Sequence, residues 1–375
     1  MLLKSILYIL EDGRFGGMNK MTTDIANRVA GKGFQVHMLV GKENSSFFVH
    51  YLDRSLIAYT LISQSVLSKK IPELIRYALT FVPDIISLFR IIRKLDPDAV
   101  YCNGSQQIKG IIASALARKK VIWHMHDTYQ PLPILILFKI VRKLCRVQWF
   151  VASCKRTSDF YGLDVHYTHV SRPPIDTNFF LKKDRVLFNP DKPINVLTIS
   201  NVNTDKGIDT IIKIAAQLNK TSHQFRFTVV GLGNDNTNNT YKDVCELMKA
   251  LDVSNVEFVG QKSDIRSLLS EADLYLCTSR NESGPISVFE ALAMQVPVVS
   301  TNVGDLGILF SKYKYGPVFP VHDHVALASE LDSIVTQPEN LHIRALTGRK
   351  IAEQELDITI CVAGQTEFYK RVLST

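Results

Sequence analysis

Residues 273–300 constrain the fold more than any other segment, because they predict a complete β-α-β unit. Residues 273–277 have the length and apolar character of a short buried strand, 286–294 predict a helix, and 296–300 predict the next strand. Two strands joined through a helix favour parallel pairing in an open α/β sheet. We therefore expect a ligand at the carboxyl ends of these strands.

The loop before that helix carries the groups of an anion-binding site. Ser283 and Gly284 allow backbone amides of the first helical turn to face a phosphate, and Pro285 stands where a missing N–H costs nothing. Glu282 lies in the loop and Glu290 two turns into the helix. Carboxylates on either side of a helix N-terminus suit a ligand with hydroxyls at both ends and phosphates between them, as in a nucleotide sugar. The alternative is two unrelated surface glutamates beside a core helix.

This pattern resembles the retaining glycosyltransferases of family 4, which have the GT-B fold. The matching features are two glutamates eight positions apart, the Ser-Gly-Pro sequence between them, the run Glu-Ala-Leu-Ala and the later Pro-Val-Val. Bacterial proteins of this kind build cell-surface polysaccharides. The resemblance therefore implies an α/β chain with two Rossmann-like domains facing a cleft.

Length agrees with that organisation, since 375 residues are too many for one ordinary core and suit two domains. The resemblance implies an acceptor-binding domain at residues 1–180 and a nucleotide-sugar-binding domain at 190–356. Residues 181–194 are predicted to link them. A helix over 357–375 is expected to return to the first domain.

Cysteine usage and hydropathy favour a cytoplasmic location. The six cysteines show no C-x-x-C spacing and are predicted to be reduced core residues. The apolar N-terminus runs into acidic residues without a small-residue cleavage site, so we expect a first strand at 5–10 and not a signal peptide. No apolar run reaches the ~18 residues that a membrane-spanning helix needs.

Charge is distributed unevenly along the chain. Residues 1–185 carry 27 Lys and Arg against 14 Asp and Glu, a net charge of +13, whereas residues 186–375 carry 17 against 22, a net charge of −5. A basic half suits nucleic acid, an anionic membrane surface or a phosphorylated substrate. No zinc-finger, RNP or helix-turn-helix pattern accompanies it, so we expect no nucleic-acid partner and favour lipid phosphate.

A helix predicted over residues 131–146 carries part of this charge. Four basic residues recur there at helical spacing, and apolar residues occupy much of the remaining surface. They are Lys139, Arg142, Lys143 and Arg146. Such a helix could bind peripherally to an anionic membrane surface on the cytoplasmic side. The alternative is a helix packed in its domain with a solvated basic face.

The chain opens with another β-α-β pattern, in which Gly16 and Gly17 stand at the start of the helix. Paired glycines let the backbone approach a phosphate closely, although a tight turn is the commoner explanation. The resemblance implies that both lie near the donor diphosphate and the acceptor. Residues 41–95 are predicted to be helical and basic at intervals.

A strand predicted over residues 121–126 delivers His126 to the ligand edge of the first sheet. Many family 4 proteins have a strand ending in His-Asp here, with the histidine beside the transferred sugar. The resemblance therefore makes His126 a catalytic candidate, and the alternative is a structural histidine with satisfied nitrogens. His124 is expected on the opposite face of the strand.

The second domain restarts the strand-loop-helix pattern at residues 195–200. Family 4 proteins usually place an Arg and a Lys, five positions apart, on the donor diphosphate. Here the Lys is Lys206 and the Arg is replaced by Asn201. A lysine is a point charge and does not reproduce a bidentate guanidinium, so Arg280 is a candidate to compensate.

Two more positions take their interpretation from the resemblance. Residues 256–260 resemble the strand and loop that hold the nucleotide base through backbone contacts, which places Gly260 at the donor. Gln295 stands where the family usually has a glycine after the helix.

The resemblance implies retaining, metal-independent transfer of a sugar from a UDP- or GDP-linked donor to a glycan or lipid-linked glycan, with no other cofactor. The catalytic candidates are His126, Lys206 and Glu282. The residues expected to bind the donor are Gly16, Gly17, Asn201, Lys206, Gly260, Glu282, Ser283, Gly284, Pro285, Ile286 and Glu290.

Within that set the roles differ. Lys206 and the amides around Gly284 would stabilise the leaving diphosphate, Glu290 would bind the ribose, and Glu282 would bind the sugar. Two alternatives remain open. One is a nucleotide-sugar epimerase, and the other is a non-catalytic GT-B subunit that binds a sugar or a protein partner.

Overall fold

The computed structural model describes residues 3–10, 12, 16–43, 45–68, 70–181, 192–221, 223–235 and 237–375. The chain divides into two compact units, Met1–Pro174 with Ile358–Thr375, and Ile175–Asp357. Most of the segment predicted as a linker, residues 182–191, lies outside the described residues. The division by contacts therefore falls a few residues before that segment, at position 174.

The first unit is an open sheet covered by helices. Its strands are β1 (Lys4–Leu10), β2 (Phe34–Gly41), β3 (Ile57–Ile62), β4 (Ala99–Asn103), β5 (Lys120–Met125), β6 (Trp149–Ala152) and β7 (Thr168–Val170). Its helices are α1 (Gly17–Ala30), α2 (Ser46–Tyr51), α3 (Ile71–Leu95), α4 (Ile108–Leu116), α5 (Leu132–Leu144), α6 (Lys155–Phe160) and, from the end of the chain, α14 (Ile358–Ser374).

The strands of this sheet are parallel and lie in the order β3-β2-β1-β4-β5-β6-β7. β4 is buried at every position, as expected for a parallel strand covered on both faces. One face packs against α1 and α14, and the other packs against α3, α4 and α5. The hydroxyls of Tyr8 and Tyr369 lie 2.7 Å apart, so α14 is fixed to the centre of the sheet.

The second unit has the same design with fewer strands. Its strands are β8 (Ile194–Ile199), β9 (Phe225–Val230), β10 (Val256–Phe258), β11 (Leu274–Cys277) and β12 (Val298–Ser300). Its helices are α7 (Ile208–Leu218), α8 (Asn239–Ala250), α9 (Arg266–Glu271), α10 (Ile286–Ala293), α11 (Leu306–Tyr313), α12 (His324–Val335) and α13 (Pro338–Ile351). The parallel order β10-β9-β8-β11-β12 puts the loops after β8 and β11 side by side.

The α/β class and the β-α-β unit at residues 273–300 are confirmed, with β11, α10 and β12 in the predicted order. The prediction for residues 41–95 was wrong in part, because β3 forms at the sheet edge inside this segment.

In the described part of the chain, no helix combines the length and apolarity that a membrane crossing requires.

Candidate functional site

Gly207 brings the loop of Lys206 against the loop that follows β11. A single 3₁₀ turn, Thr204–Lys206, ends at Gly207, whose φ is +63°. A Cβ at Gly207 would overlap the carbonyl oxygen of Thr278, so only glycine satisfies both the backbone angle and this close approach. The Thr278 hydroxyl also donates to the Lys206 carbonyl, at 3.0 Å. The two loops are therefore held together by backbone geometry.

This packing places two of the predicted site residues in direct contact. The Lys206 ammonium donates to Glu282 Oε1. Ser279 Oγ lies 3.3 Å from the same oxygen and donates to it. The side chains of Lys206 and Glu282 are 27% and 18% exposed, so the pair is accessible from solvent. A ligand can therefore reach both charges.

The N-terminus of α10 lies at the end of the same loop. Pro285 is the N-cap, has φ of −74°, and provides no side-chain hydrogen bond to the helix. The Gly304 amide donates to the Glu282 carbonyl at 3.0 Å. Gly304 has φ of +51°, and a Cβ there would lie 2.8 Å from the Ser283 carbonyl oxygen. The loop of Ser283 and Gly284 is thus held in place by the segment before α11.

Tyr275 fixes the first turn of α10 from inside the sheet. Its hydroxyl donates to Ser287 Oγ at 2.7 Å, and Ser287 Oγ donates to the Ile199 carbonyl at 3.1 Å. Burial raises the pKa of Tyr275, which keeps the phenol protonated. Half-buried Ile286 and Glu290 lie on this helix. Tyr275 was not predicted as a site residue, although a tyrosine in an otherwise apolar strand needs a hydrogen-bond partner.

Asn201 has a local structural role. Its Oδ1 accepts a hydrogen bond from the Leu232 amide at 3.0 Å. A Cβ at Gly231 would overlap the Ser200 carbonyl, and the Gly231 amide donates to the Gly260 carbonyl at 3.1 Å. The loops after β8, β9 and β10 therefore meet at Asn201, Gly231 and Gly260.

Arg280, the candidate to compensate for the arginine that Asn201 replaces, is bonded to neighbouring groups. One terminal nitrogen of Arg280 donates to the Thr204 carbonyl at 2.8 Å, and the other donates to Asp209 Oδ1 at 2.6 Å. The Arg280 amide donates to the Asp205 carbonyl at 2.7 Å. Arg280 thus fastens the Lys206 loop to its neighbour, and its compensating role at the diphosphate stays a prediction.

In the first unit, His126 follows the carboxyl end of β5 and is 9% exposed. Its Nε2 lies 2.8 Å from Asn103 Oδ1, and its Nδ1 lies 2.8 Å from Ser153 Oγ. Burial lowers the pKa of His126 to about 3, so the ring is neutral near pH 7. Both nitrogens have partners, which matches the structural-histidine alternative and leaves neither free to accept a proton in this arrangement.

A chain of amides fixes the tautomer of that ring. Asn19 Nδ2 donates to the Asp12 carboxylate at 3.2 Å, so Asn19 Oδ1 faces Asn103 Nδ2, also at 3.2 Å. The Asn103 carbonyl oxygen is then turned toward His126 Nε2, which must carry the proton because an amide oxygen only accepts. Ser153 donates to Nδ1. None of these partners was predicted from sequence: Asp12, Asn19, Asn103 and Ser153.

The expectation that His124 lies on the opposite face of β5 was wrong. Side chains two positions apart on a strand share a face, and the centroids of the His124 and His126 rings are 3.7 Å apart. His124 Nδ1 lies 2.6 Å from the hydroxyl of Tyr101, and its Nε2 lies 3.3 Å from Ser153 Oγ. Ser153 thus contacts both histidines.

Gly16 and Gly17 begin α1. Gly16 is the N-cap, with extended backbone (φ −132°, ψ 171°). A Cβ added to Gly16 would meet no atom within 4 Å. Neither the backbone angle nor local packing therefore requires glycine at position 16. Residues 13–15 of the adjoining loop lie outside the described residues.

The basic stripe predicted on α5 is incomplete. Lys139 and Lys143 are exposed. The Arg142 guanidinium lies 4.9 Å above the Phe150 ring, and its Nη1 donates to the Gly162 carbonyl at 3.4 Å. Arg146 lies beyond the helix end, with φ of +51°. The helix therefore presents two of the four predicted cations.

Among the described residues, no group of three or more His, Cys, Asp or Glu side chains is placed to hold a metal ion.

Two family models match consecutive parts of the chain. The model for glycosyl transferases group 1 matches residues 180–351, and that for glycosyltransferase family 4 matches residues 15–179. The chain spans 40% of the length of the first curated relatives it matches, the WcaL proteins of Escherichia coli and Salmonella typhimurium. The amylovoran biosynthesis glycosyltransferase AmsK of Erwinia amylovora is 24% identical over 56% of this chain and 52% of that protein.

Solved structures match over almost the whole chain. HepE from Anabaena, crystallised with UDP, has a TM-score of 0.80 at 18% identity and covers 98% of this chain and 100% of that one. A glycosyltransferase from Rickettsia africae has a TM-score of 0.78 at 18% identity and covers 99% of both chains. These likenesses establish the fold. Together with the two family models, they show that the chain belongs to the group 1 and family 4 glycosyltransferases and has the GT-B fold.

Proposed function

We propose that this protein transfers a sugar from a nucleotide-sugar donor to a glycan acceptor during synthesis of a bacterial cell-surface polysaccharide. The observation that carries the proposal is the contact of Lys206 with Glu282 in the loop before α10. It combines a cation, a carboxylate and a helix N-terminus at the carboxyl edge of a parallel sheet. Polysaccharide synthesis is supported by the relatives named for O-antigen and amylovoran biosynthesis.

The donor would bind across this loop. Lys206 and the amides near Gly284 would bind its diphosphate, because cations and helix N-termini both stabilise developing negative charge. Glu282 would bind the sugar hydroxyls, and Glu290 would bind the ribose. The loop of Gly260 would hold the base. HepE has been solved with UDP and with UDP-glucose, which favours a UDP-linked donor over a GDP-linked one.

We assign retention of configuration without a covalent glutamate intermediate. Glu282 is hydrogen-bonded to both Lys206 and Ser279, which suits a hydroxyl-binding carboxylate better than a nucleophile. The leaving phosphate oxygen would accept the proton of the acceptor hydroxyl on the same face of the sugar. The anomeric configuration of the product, measured by NMR, tests retention, and an inverted product would refute it.

Metal independence belongs to the same proposal. Lys206 and the start of α10 would supply the electrostatic stabilisation that a divalent cation gives elsewhere. Turnover should therefore survive exhaustive treatment with EDTA. Loss of activity that Mg²⁺ or Mn²⁺ restores would refute this part.

We place the acceptor on the basic first unit and the protein at the cytoplasmic membrane surface. Exposed Lys139 and Lys143 lie on α5 beside the exposed apolar side chains of Ile136 and Ile140. Such a surface suits an anionic bilayer. A glycan carried on a lipid would be reached from there.

A donor screen tests the core of the proposal. UDP, GDP, ADP and their sugar conjugates are compared by thermal shift, because ligand at 100 times its dissociation constant adds ~2.7 kcal/mol of stability. The conjugate that binds is then offered with a lipid-extract acceptor. Absence of nucleotide binding would favour a non-catalytic subunit, and consumption of the donor without acceptor would favour an epimerase.

A further inference from the structure

Helix α3 consists of two halves with different surroundings. All of its buried residues lie in the second half, at Asp84, Ile85, Leu88 and Ile92. No residue between positions 71 and 83 is buried. The first half of the helix therefore contacts its own unit along one half-buried side, through Tyr77 and Phe81. The rest of its surface is exposed.

That half and the turn after it carry an apolar face. Five large apolar side chains recur at intervals of three or four residues, so they lie on one side of the helix. We call them the α3 stripe: Ile71, Ile75, Leu79, Val82 and Ile86. Each is between 44% and 76% exposed. A contiguous exposed apolar row of this kind marks an interaction surface.

Two cations continue the same line. Arg90 and Arg93 follow Ile86 at four and seven positions, and both are exposed. The face of α3 is therefore apolar for its first four turns and positively charged afterwards. An apolar face followed by positive charge complements an anionic lipid surface, where apolar side chains enter the acyl boundary and arginines contact the phosphates.

The second half of α3 is firmly anchored. Lys109 Nζ, on α4, lies 2.7 Å from Asp84 Oδ2 and 2.7 Å from the Ser65 carbonyl oxygen. The Ser65 amide donates to the same Asp84 oxygen at 3.2 Å. This buried network holds α3 against both α4 and the loop after β3. The exposed half is thus presented by a rigid base.

A cavity lies beside the exposed half. It has a volume of about 620 Å³ and is formed at the carboxyl ends of β1, β2 and β3. Its walls include Lys42, Ser63 and Ser68, together with Glu73 and Arg76 from the first turns of α3. The mixture of hydroxyl, cationic and anionic groups suits a polar saccharide or phosphosugar.

We propose that the α3 stripe lies in the surface of an anionic bilayer and so brings this cavity to the lipid headgroups, where the polar end of a lipid-linked acceptor enters it. The acceptor part rests on the proposed function. A bilayer is the occupant because it covers a convex helix along its length and because the stripe ends in arginines. Helix α5, which packs against the same face of the sheet, exposes apolar side chains and lysines as well.

Vesicle flotation tests the bilayer contact. Vesicles of phosphatidylcholine with phosphatidylglycerol should carry the protein upward at low salt, and added salt should weaken the binding. The variant Ile75→Ser/Leu79→Ser/Val82→Ser should lose about ten-fold or more in partitioning. A matched control is Ile308→Ser/Ile343→Ser/Leu346→Ser, which changes three exposed apolar side chains of the second unit and should float like the original protein.

A gain-of-signal measurement covers the case in which the triple variant does not fold. Leu79→Trp should show quenching of its fluorescence by brominated lipids, whereas Ile343→Trp should not. The native tryptophans, Trp123 and Trp149, are buried. Equal flotation of the stripe variant and its control, or an unquenched Leu79→Trp, would overturn the proposal. Binding of UDP, GDP and ADP measured without vesicles tests the donor site separately. Failure to bind all three would refute the proposed function and leave the bilayer contact standing.

Discussion

The ammonium of Lys206 is hydrogen-bonded to the carboxylate of Glu282. These two groups come from loops 76 positions apart, and each is assigned to a different part of the donor. A diphosphate that binds Lys206 must therefore compete with Glu282 for the same cation. Removal of the Glu282 charge and removal of the Lys206 charge should therefore have opposite effects on the binding of UDP.

Glu282→Gln should tighten the binding of bare UDP by about two- to five-fold, because a partly exposed ion pair contributes up to about 1 kcal/mol. Transfer of the sugar should fall in the same variant, since the amide no longer accepts sugar hydroxyls as a carboxylate does. Calorimetry with UDP measures the first effect. Glu290→Gln is the comparison variant and should bind UDP more weakly than the original protein. Weaker UDP binding by Glu282→Gln would contradict the competition between Glu282 and the diphosphate.

Lys206→Ala should weaken UDP binding by about ten-fold or more, because a hydrogen bond to a charged group is worth about 1.5–3 kcal/mol. Turnover should fall with it. Lys213→Ala is the matched control, since Lys213 lies on α7 and contacts Asp209 at 3.6 Å. If both variants bind UDP like the original protein, the diphosphate lies elsewhere.

Gly207→Ala should damage both stability and donor binding. The left-handed backbone alone costs about 1–2 kcal/mol, and the new Cβ would overlap the Thr278 carbonyl, which would push the Lys206 loop away from Glu282. Gly162→Ala isolates the first cost, because Gly162 has φ of +58° and nothing within 4 Å of its Cβ position. Urea unfolding should show the larger loss at Gly207. Equal losses would mean that the close approach is unimportant.

The fold was predictable from sequence where strands are continuous apolar runs bounded by glycine, proline or a helix start. Strands β11 and β12, on either side of α10, are of this kind. Strand β3 was missed because it lies at the sheet edge, where half-exposed positions interrupt the apolar pattern. The exposed half of α3 was missed for a related reason, since a helix pattern shows which residues share a face but not whether that face is covered.

The candidate site was predictable only within one loop. Ser283, Gly284 and Pro285 are consecutive, so their contribution to a helix N-terminus follows from local rules. The two partners of His126, Asn103 and Ser153, come from two other segments, and their convergence depends on the order and register of parallel strands. The same holds for Lys206 and Glu282, whose contact depends on β8 lying beside β11.

Burial of neutral His126 should make stability depend on pH. Its folded pKa, about 3, lies below the unfolded value of about 6.5, so the unfolded chain binds the extra proton between these values. Stability should therefore fall as pH falls from about 6.5 toward 3, by up to about 1.4 kcal/mol per pH unit from this group. His126→Gln should flatten the dependence measured by urea unfolding at pH 5, 6 and 7. An unchanged slope would mean that the ring is solvated or already charged.

Gln295 supplies the last prediction, because it has a backbone conformation that favours glycine. Gln295 follows the end of α10 with φ of +58°, a left-handed conformation that costs a residue with a Cβ about 1–2 kcal/mol. Its amide donates to the Leu292 carbonyl at 3.1 Å and the Val296 amide donates to the Ala291 carbonyl at 2.9 Å, so the conformation is fixed by the helix end. Gln295→Gly should raise stability by about 1 kcal/mol, or about 2–4 °C in Tm for a unit of this size. Gln295→Ala keeps the strain and should show no such gain. A gain in the alanine variant equal to that in the glycine variant would attribute the effect to the glutamine side chain and not to the backbone.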